Sequence, residues 1–193
     1  MTARLPRTAA WRHLDAKQGF EALVIDERHG GGWRFAGATA AVEEGEVWAV
    51  SYEIEVDDGW YTRRASVSTR SAAGERTAEI ESDGKGDWFA DGAEIPQVAG
   101  CLDLDLESSA FTNAFPVQRM RLEVGARAEA PAAYVRATDL RIERLEQRYA
   151  RLADRDRGEV YDYESPAFGF RCELAYDGGG LVREYPGIAI RAA

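Results

Sequence analysis

From Cys101 to Met120 the chain reads CLDLDLESSAFTNAFPVQRM, and the period of its apolar residues changes once along that stretch. Leu102, Leu104 and Leu106 alternate with Asp103, Asp105 and Glu107, the period-2 pattern of a strand whose successive side chains point to opposite faces. Ala110, Phe111, Ala114 and Phe115 then fall at helical spacing, with Ser108 or Ser109 placed to cap the first turn. Pro116 lacks a backbone N–H and restricts the residue before it, so the spacing predicts a short helix over 109–115 that stops there. A helix with so little polar surface has to be enclosed, and the chain must supply a sheet able to enclose it.

Strand signals separated by turns recur along the rest of the sequence and favour a mainly antiparallel sheet. In Val47 to Val56, Trp48, Val50, Tyr52, Ile54 and Val56 share one face. Asp57 to Gly59 form the turn and Trp60 to Arg70 the return strand of a hairpin. Further strands are expected at 20–26, 33–40, 76–82, 87–91, 117–124, 134–142, 159–164, 168–176 and 181–184. The segment 140–152 is open to two readings, because Ile142, Leu145, Tyr149 and Leu152 also fit a helical stripe. No linker interrupts the 193 residues. One domain over 1–193 is expected, large enough to bury a core without disulfides or metals.

The formal charge of −10 disfavours nucleic acid and anionic membrane surfaces as partners. Arg148, Arg151, Arg155 and Arg157 alternate with acids and read as a solvated face. Charged Arg4, Arg7, Arg12, Asp15 and Lys17 replace any apolar leader core, no run approaches a membrane span, and Cys101 and Cys172 are the only cysteines. A cytoplasmic protein with two reduced thiols and no integral membrane segment is the expectation.

Known catalytic patterns fit poorly. His29 to Gly32 imitate an esterase oxyanion loop, but no G-x-S-x-G accompanies them, so they read as a hairpin turn. Asp83 to Gly86 fails as a phosphate loop, and Asp177 to Gly180 reads as another turn. His13 and His29 are expected at the surface, with no metal site, cofactor or catalytic residue. Asp103 and Asp105 lie on one strand face with Cα atoms about 7 Å apart, which suits acid–base work on a sugar or, more simply, a solvent-facing acidic edge. Thr112 and Asn113 could meet a ligand or satisfy backbone groups at the helix turn. Arg119, among apolar neighbours, calls for an anion: Asp103, Asp105 or a ligand. Trp48 and Tyr52 could line a pocket or fill a core.

The segment from Ser109 to Met120 resembles the pattern T-P-x-T-N-T-L-P-I-R-R-L of a bacterial family, the putative glycolipid-binding proteins. Thr112, Asn113, Pro116 and Arg119 match it, while Ala110, Ala114 and Gln118 depart from its proline, threonine and arginine. The resemblance extends to Gly19 and Glu21, to Trp60, Thr62 and Arg63, to Gln147, Tyr149 and Leu152, to Tyr161–Ser165, and to the segment from Gly180 to Arg191. It implies a spiral β-roll, a long antiparallel sheet wrapped around one short helix, with 140–152 extended. It also implies a homodimer that binds a glycolipid or similar amphiphilic small molecule. Trp48, Tyr52, Thr112, Asn113 and Arg119 are the candidate ligand contacts. The competing functions are a carbohydrate-active enzyme using Asp103 and Asp105, and a dimeric interaction module without a ligand.

Overall fold

Alternation between buried and exposed positions shapes the first half of the chain in the computed structural model, which describes residues 5–155 and 158–193. Arg4 and Arg157, read above among the charged residues, lie outside them. Thr8–His13 (β1), Gln18–Glu27 (β2), Trp33–Glu43 (β3), Glu46–Val56 (β4), Thr62–Ser71 (β5) and Gly74–Ser82 (β6) form a meander. Trp88–Ala90 (β7) and Ala93–Glu94 (β8) end it. Along β4, Trp48, Val50, Tyr52, Ile54 and Val56 are buried and Val47, Ala49 and Ser51 are exposed, as the period requires. His29 to Gly32 are the β2–β3 turn, where Gly30, Gly31 and Gly32 all have positive φ.

The chain then turns inward through Asp103–Leu106 (β9), a 3₁₀ turn at Phe111–Asn113 and the helix Ala114–Met120 (α1). It continues through Arg127–Glu129 (β10), Ala132–Val135 (β11) and Ile142–Leu145 (β12). The return comprises Arg148–Arg151 (β13), Val160–Ser165 (β14), Phe170–Tyr176 (β15), Val182–Tyr185 (β16) and Ala189–Arg191 (β17). Among the described residues these give a fourteen-stranded antiparallel sheet, β10-β13-β14-β15-β16-β17-β1-β2-β3-β4-β5-β6-β7-β8. Its two halves join where β17 pairs with β1. The remaining strands form a small sheet, β12-β11-β9, parallel between β9 and β11. The ends of the long sheet do not pair, so it rolls around the small sheet and helix without closing into a barrel.

Enclosure changes the fate of the alternating segment. All four residues of β9 are buried, so Asp103 and Asp105 are not the solvent-facing edge their spacing suggested. Alternation distinguishes the two faces of a strand but does not reveal that both are covered. The helix also departs from expectation. Pro116 sits in the first turn of α1, where its missing N–H would have no helical partner anyway, and the helix runs on to Met120. Arg121, with φ of 44°, ends it. The strand expected at 117–124 is therefore helix as far as Met120 and irregular beyond it. Segment 140–152 is extended, as β12 and β13, and the strand expected at 134–142 breaks after Val135 at a turn containing Leu140 with φ of 57°.

Aromatic rings fill the space between helix and roll. Phe111 meets Phe115 edge-on at 5.1 Å, Phe35 at 4.6 Å and Trp11 at 6.2 Å. Trp60 reaches both Phe35 and Phe115. Indole N–H groups of Trp11 and Trp88 donate to the Val182 and Cys101 carbonyls, each at 2.8 Å. Phe111 has no solvent exposure. Phe111→Ala should thus cost about 3–5 kcal/mol through lost burial and the cavity left behind. Denaturant melts check this, and a loss below about 1 kcal/mol would mean the ring is not held as described.

Candidate functional site

Three buried acids organise the interior, and each has a different set of partners. Glu21, on β2, accepts from the Tyr52 hydroxyl at 2.5 Å, from the Ser109 hydroxyl and from the Ala110 N–H at 2.8 Å. Tyr52 reaches it by lying across β3 at Gly37, where a Cβ would stand 2.4 Å from the tyrosine ring. Ser109 also accepts from the Phe111 N–H at 3.1 Å, a local serine turn just before the 3₁₀ turn, whose N-cap is Ala110 rather than the expected Ser108 or Ser109. Burial raises the Glu21 pKa, and its three hydrogen bonds and Lys17 oppose that shift.

Asp103 receives the Arg119 guanidinium at 3.0 and 2.6 Å, a bidentate pair. Burial pushes the Asp103 carboxyl up and Arg119 pulls it back. The anion Arg119 calls for is therefore internal, and Tyr61 packs against the guanidinium at 5.7 Å. Asp105, two residues on, accepts from Thr112 Oγ1 and Gln147 Nε2, both at 2.7 Å. Gln147 also donates to the Tyr163 hydroxyl at 3.0 Å. Asn113 accepts from the Tyr149 hydroxyl at 2.9 Å through its side chain and from Tyr176 at 3.1 Å through its carbonyl.

Asp105 faces a cavity of about 230 Å³, lined also by Lys17, Asn113, Tyr163, Ser165 and Tyr185. Strand register builds its walls. Tyr134 on β11 pairs with Asp105, Ser165 on β14 pairs with Phe170, and Tyr163 lies two residues before Ser165 on the same face. Exposed Ala16 and Phe168 border it, so it opens to solvent there. Lys17 is buried, donates to the Glu107 carbonyl at 2.5 Å and stands over the Trp48 ring at 5.2 Å. Burial lowers its pKa, against the raising effect of Glu43, Glu107, Glu21 and Asp105. His13 beside it is buried, contrary to the expected surface position; burial and the Lys17 charge push its pKa down to about 4. His29 is exposed.

A larger concavity, about 810 Å³, lies on the outer face near Val42, Val47 and Ala49. Trp48 borders it, with a buried indole N–H that has no partner among the described residues, while Gln18, Glu46, Arg70 and Ser71 in its lining are exposed or half-buried. The inner cavity, where buried polar groups converge, is the better candidate site. Of the five sequence-derived candidates, Asn113 lines it, Thr112 holds Asp105, and Trp48 packs against Lys17. Tyr52 serves Glu21, and Arg119 is committed to Asp103. Asp103 does not line the cavity, so the two carboxylates of the alternating pair do not act on a common space. Reading by residue type missed Lys17, Ser165 and Tyr163; the last two stood only inside the Tyr161–Ser165 motif. Among the described residues no cluster of His, Cys, Asp or Glu could hold a metal ion.

Burial is the main reason the Asp105 pKa rises, to about 6; Asp103 adds to it, while Thr112, Gln147 and Lys17 oppose it. Below about pH 4 the residue is protonated in both folded and unfolded chains. Between about 4 and 6 only the unfolded chain loses the proton, so the folded state loses up to roughly 3 kcal/mol as pH rises, and nothing further above that window. Asp105→Asn removes this dependence and leaves Glu21 and Asp103 in place. In denaturant melts, the variant's stability relative to wild type should increase by on the order of 2 kcal/mol from pH 4 to pH 7. A difference that does not vary with pH would show that Asp105 titrates normally.

The fold is shared with solved structures. A crystal structure of a DUF1089 family protein from Pseudomonas aeruginosa is 31% identical, with 97% of this chain and 94% of that chain covered and a TM-score of 0.77. A beta-barrel-like protein of domain of unknown function DUF1849 from Brucella abortus shares the fold at 11% identity, covering 99% of this chain and 96% of that one, TM-score 0.57. No curated protein is significantly similar. The roll, the inner helix and the acids around it span nearly the whole length over which one family profile matches, residues 8–191, and the chain belongs to that family, described as Putative glycolipid-binding.

Proposed function

We propose that this protein binds an amphiphilic small molecule of the glycolipid type without transforming it, holding the polar head in the inner cavity. The observation that carries this reading is an aromatic-walled cavity with Asp105, Ser165 and Lys17 buried around it, inside the roll of a family named for glycolipid binding. Such a combination, apolar walls with a few placed polar groups, orients a ligand. Asn113 is the direct contact among the sequence-derived candidates. Thr112 positions Asp105, and Trp48 positions Lys17. Tyr52 and Arg119 act one step further away, through Glu21 and Asp103. The apolar part leaves past Phe168, which is about half exposed at the mouth. The carbohydrate-active alternative is the weaker reading, because it needs two carboxylates facing one substrate and Asp103 is bound to Arg119.

A cytoplasmic location is proposed on the charge of −10 and the unpaired Cys101 and Cys172. No helix among the described residues is long and apolar enough to cross a membrane. A homodimer is proposed as well, but not through sheet edges: β8 and β10 are only two and three residues long, which blunts them. Its contact is the outer face of β2–β4, where Phe20, Val24, Val42 and Val47 are exposed around small Ala22, Ala38, Ala40 and Ala49. Light scattering should give twice the chain mass, and Val47→Glu should shift it to the monomer. A monomeric wild type at all concentrations would refute the dimer.

Native mass spectrometry of freshly purified protein, before and after solvent extraction, tests the binding reading. A bound mass that extraction removes and an added alkyl glycoside restores is expected. A chain that carries nothing and takes up nothing would overturn it.

A further inference from the structure

Ser165 supplies the clearest sign of what the cavity accepts. The residue is 1% exposed and lines the cavity, yet its Oγ makes no acceptable hydrogen bond among the described residues, although it stands beside the Tyr163 phenol. A buried hydroxyl without a partner costs on the order of 1–3 kcal/mol. A ligand hydroxyl would recover that loss. Asp105 has capacity to spare too, since a carboxylate offers about four acceptor positions and Thr112 and Gln147 occupy two.

Size and walls narrow the class. A volume of about 230 Å³ corresponds to roughly eight waters at about 30 Å³ each. That suits one six-membered ring with its hydroxyls and is below the ~300–1,000 Å³ of pockets that enclose whole drug-sized ligands. Tyr163 and Tyr185 meet edge-on at 5.8 Å and Phe170 and Tyr185 at 6.0 Å, giving flat apolar faces on which the C–H side of a ring can rest.

Charge narrows it further. Glu43, Asp105 and Glu107 line the cavity against one lysine. The Lys17 ammonium is already engaged by the Glu107 carbonyl and the Trp48 ring and lies in the field of four carboxylates. Arg136, stacked on the wall residues Tyr134 and Phe168, is paired through its terminal nitrogens with Glu107 and Glu143, and only its Nε–H is left without a partner. Among the described residues no arginine lines the cavity, so none presents its fork to a phosphate there.

We infer that the inner cavity is a head-group site for a single neutral, hydroxyl-rich ring, one monosaccharide unit, bound by Asp105 and Ser165, and that it excludes phosphate head groups. This rests on the amphiphile-binding reading and adds the head-group class. Titration calorimetry with octyl glucoside and octyl phosphate, both below their micelle concentrations, provides the test. Wild type should bind the glucoside at least about tenfold more tightly than the phosphate. Ser165→Ala and Asp105→Asn should each weaken glucoside binding by about fivefold or more. Ser165→Ala should keep or raise the thermal midpoint, because it removes an unpartnered buried hydroxyl. Equal or tighter binding of the phosphate overturns the neutral-ring inference and leaves the amphiphile reading standing. Glucoside affinity unchanged in both variants does the same. If neither amphiphile binds, both readings fall.

Discussion

A single carboxylate joins the two layers of this molecule. Glu21 has no solvent exposure, and without its partners a buried charge of this kind would be among the most destabilising features a core can contain. Two of those partners, Ser109 and the Ala110 N–H, lie at the entrance to the inner helix, nearly ninety residues away along the chain. The third, Tyr52, comes from the outer sheet. Satisfying Glu21 therefore requires the helix to begin at one place against β2 and β4. Hydrophobic burial of Phe111 and Phe115 draws the helix inside, but burial is non-directional. The hydrogen bonds to Glu21 set its position along the sheet.

Once the helix is placed, β9 is enclosed on both faces and its acids must be satisfied internally. Asp103 meets Arg119, which α1 carries three residues beyond Pro116, so the passage of the helix through that proline makes the pair possible. Asp105 meets Thr112, from the 3₁₀ turn, and Gln147, from the bend between β12 and β13. The inner strand is thus tied to the helix at two points and to the return half of the roll at a third. Removing one member of the Asp103–Arg119 pair would leave the other buried and uncompensated, which is costlier than never having had either.

The sequence discloses these features unevenly. The β4–β5 hairpin was legible because one face of a strand meets water and the other does not, and alternation reports that directly. The enclosed helix was legible from its lack of polar surface, and the anion owed to Arg119 from its apolar neighbours. Local rules failed where a distant element determined the environment. Asp105 reads as solvated until β11 and the helix cover it, and Lys17 reads as an ordinary charge near the start of the chain until Trp48 and four carboxylates close around it. His13 is similar, buried by contacts its neighbours in sequence do not reveal. Pro116 departs from expectation for a local reason: the position of a proline within a helix decides whether it stops the helix or is tolerated, and the α-helix starts at Ala114, further on than a cap at Ser109 predicts.

The distribution of unsatisfied atoms connects fold to function. Apart from Thr69 Oγ1, the buried side-chain polar atoms without partners among the described residues belong to His13, Trp48, Arg136 and Ser165. Ser165 lines the cavity, Trp48 and His13 adjoin its lysine, and Arg136 stacks on the Tyr134 and Phe168 rings of its wall. Elsewhere the interior is well satisfied: Glu21, Asp103, Thr39 and the Trp11 and Trp88 indoles all have partners. Each unpaired buried group lowers stability and so calls for an explanation. Of these residues Ser165 alone lines the inner cavity, and its hydroxyl, left unpaired by the protein, is the kind of group a hydroxylated ligand can pair.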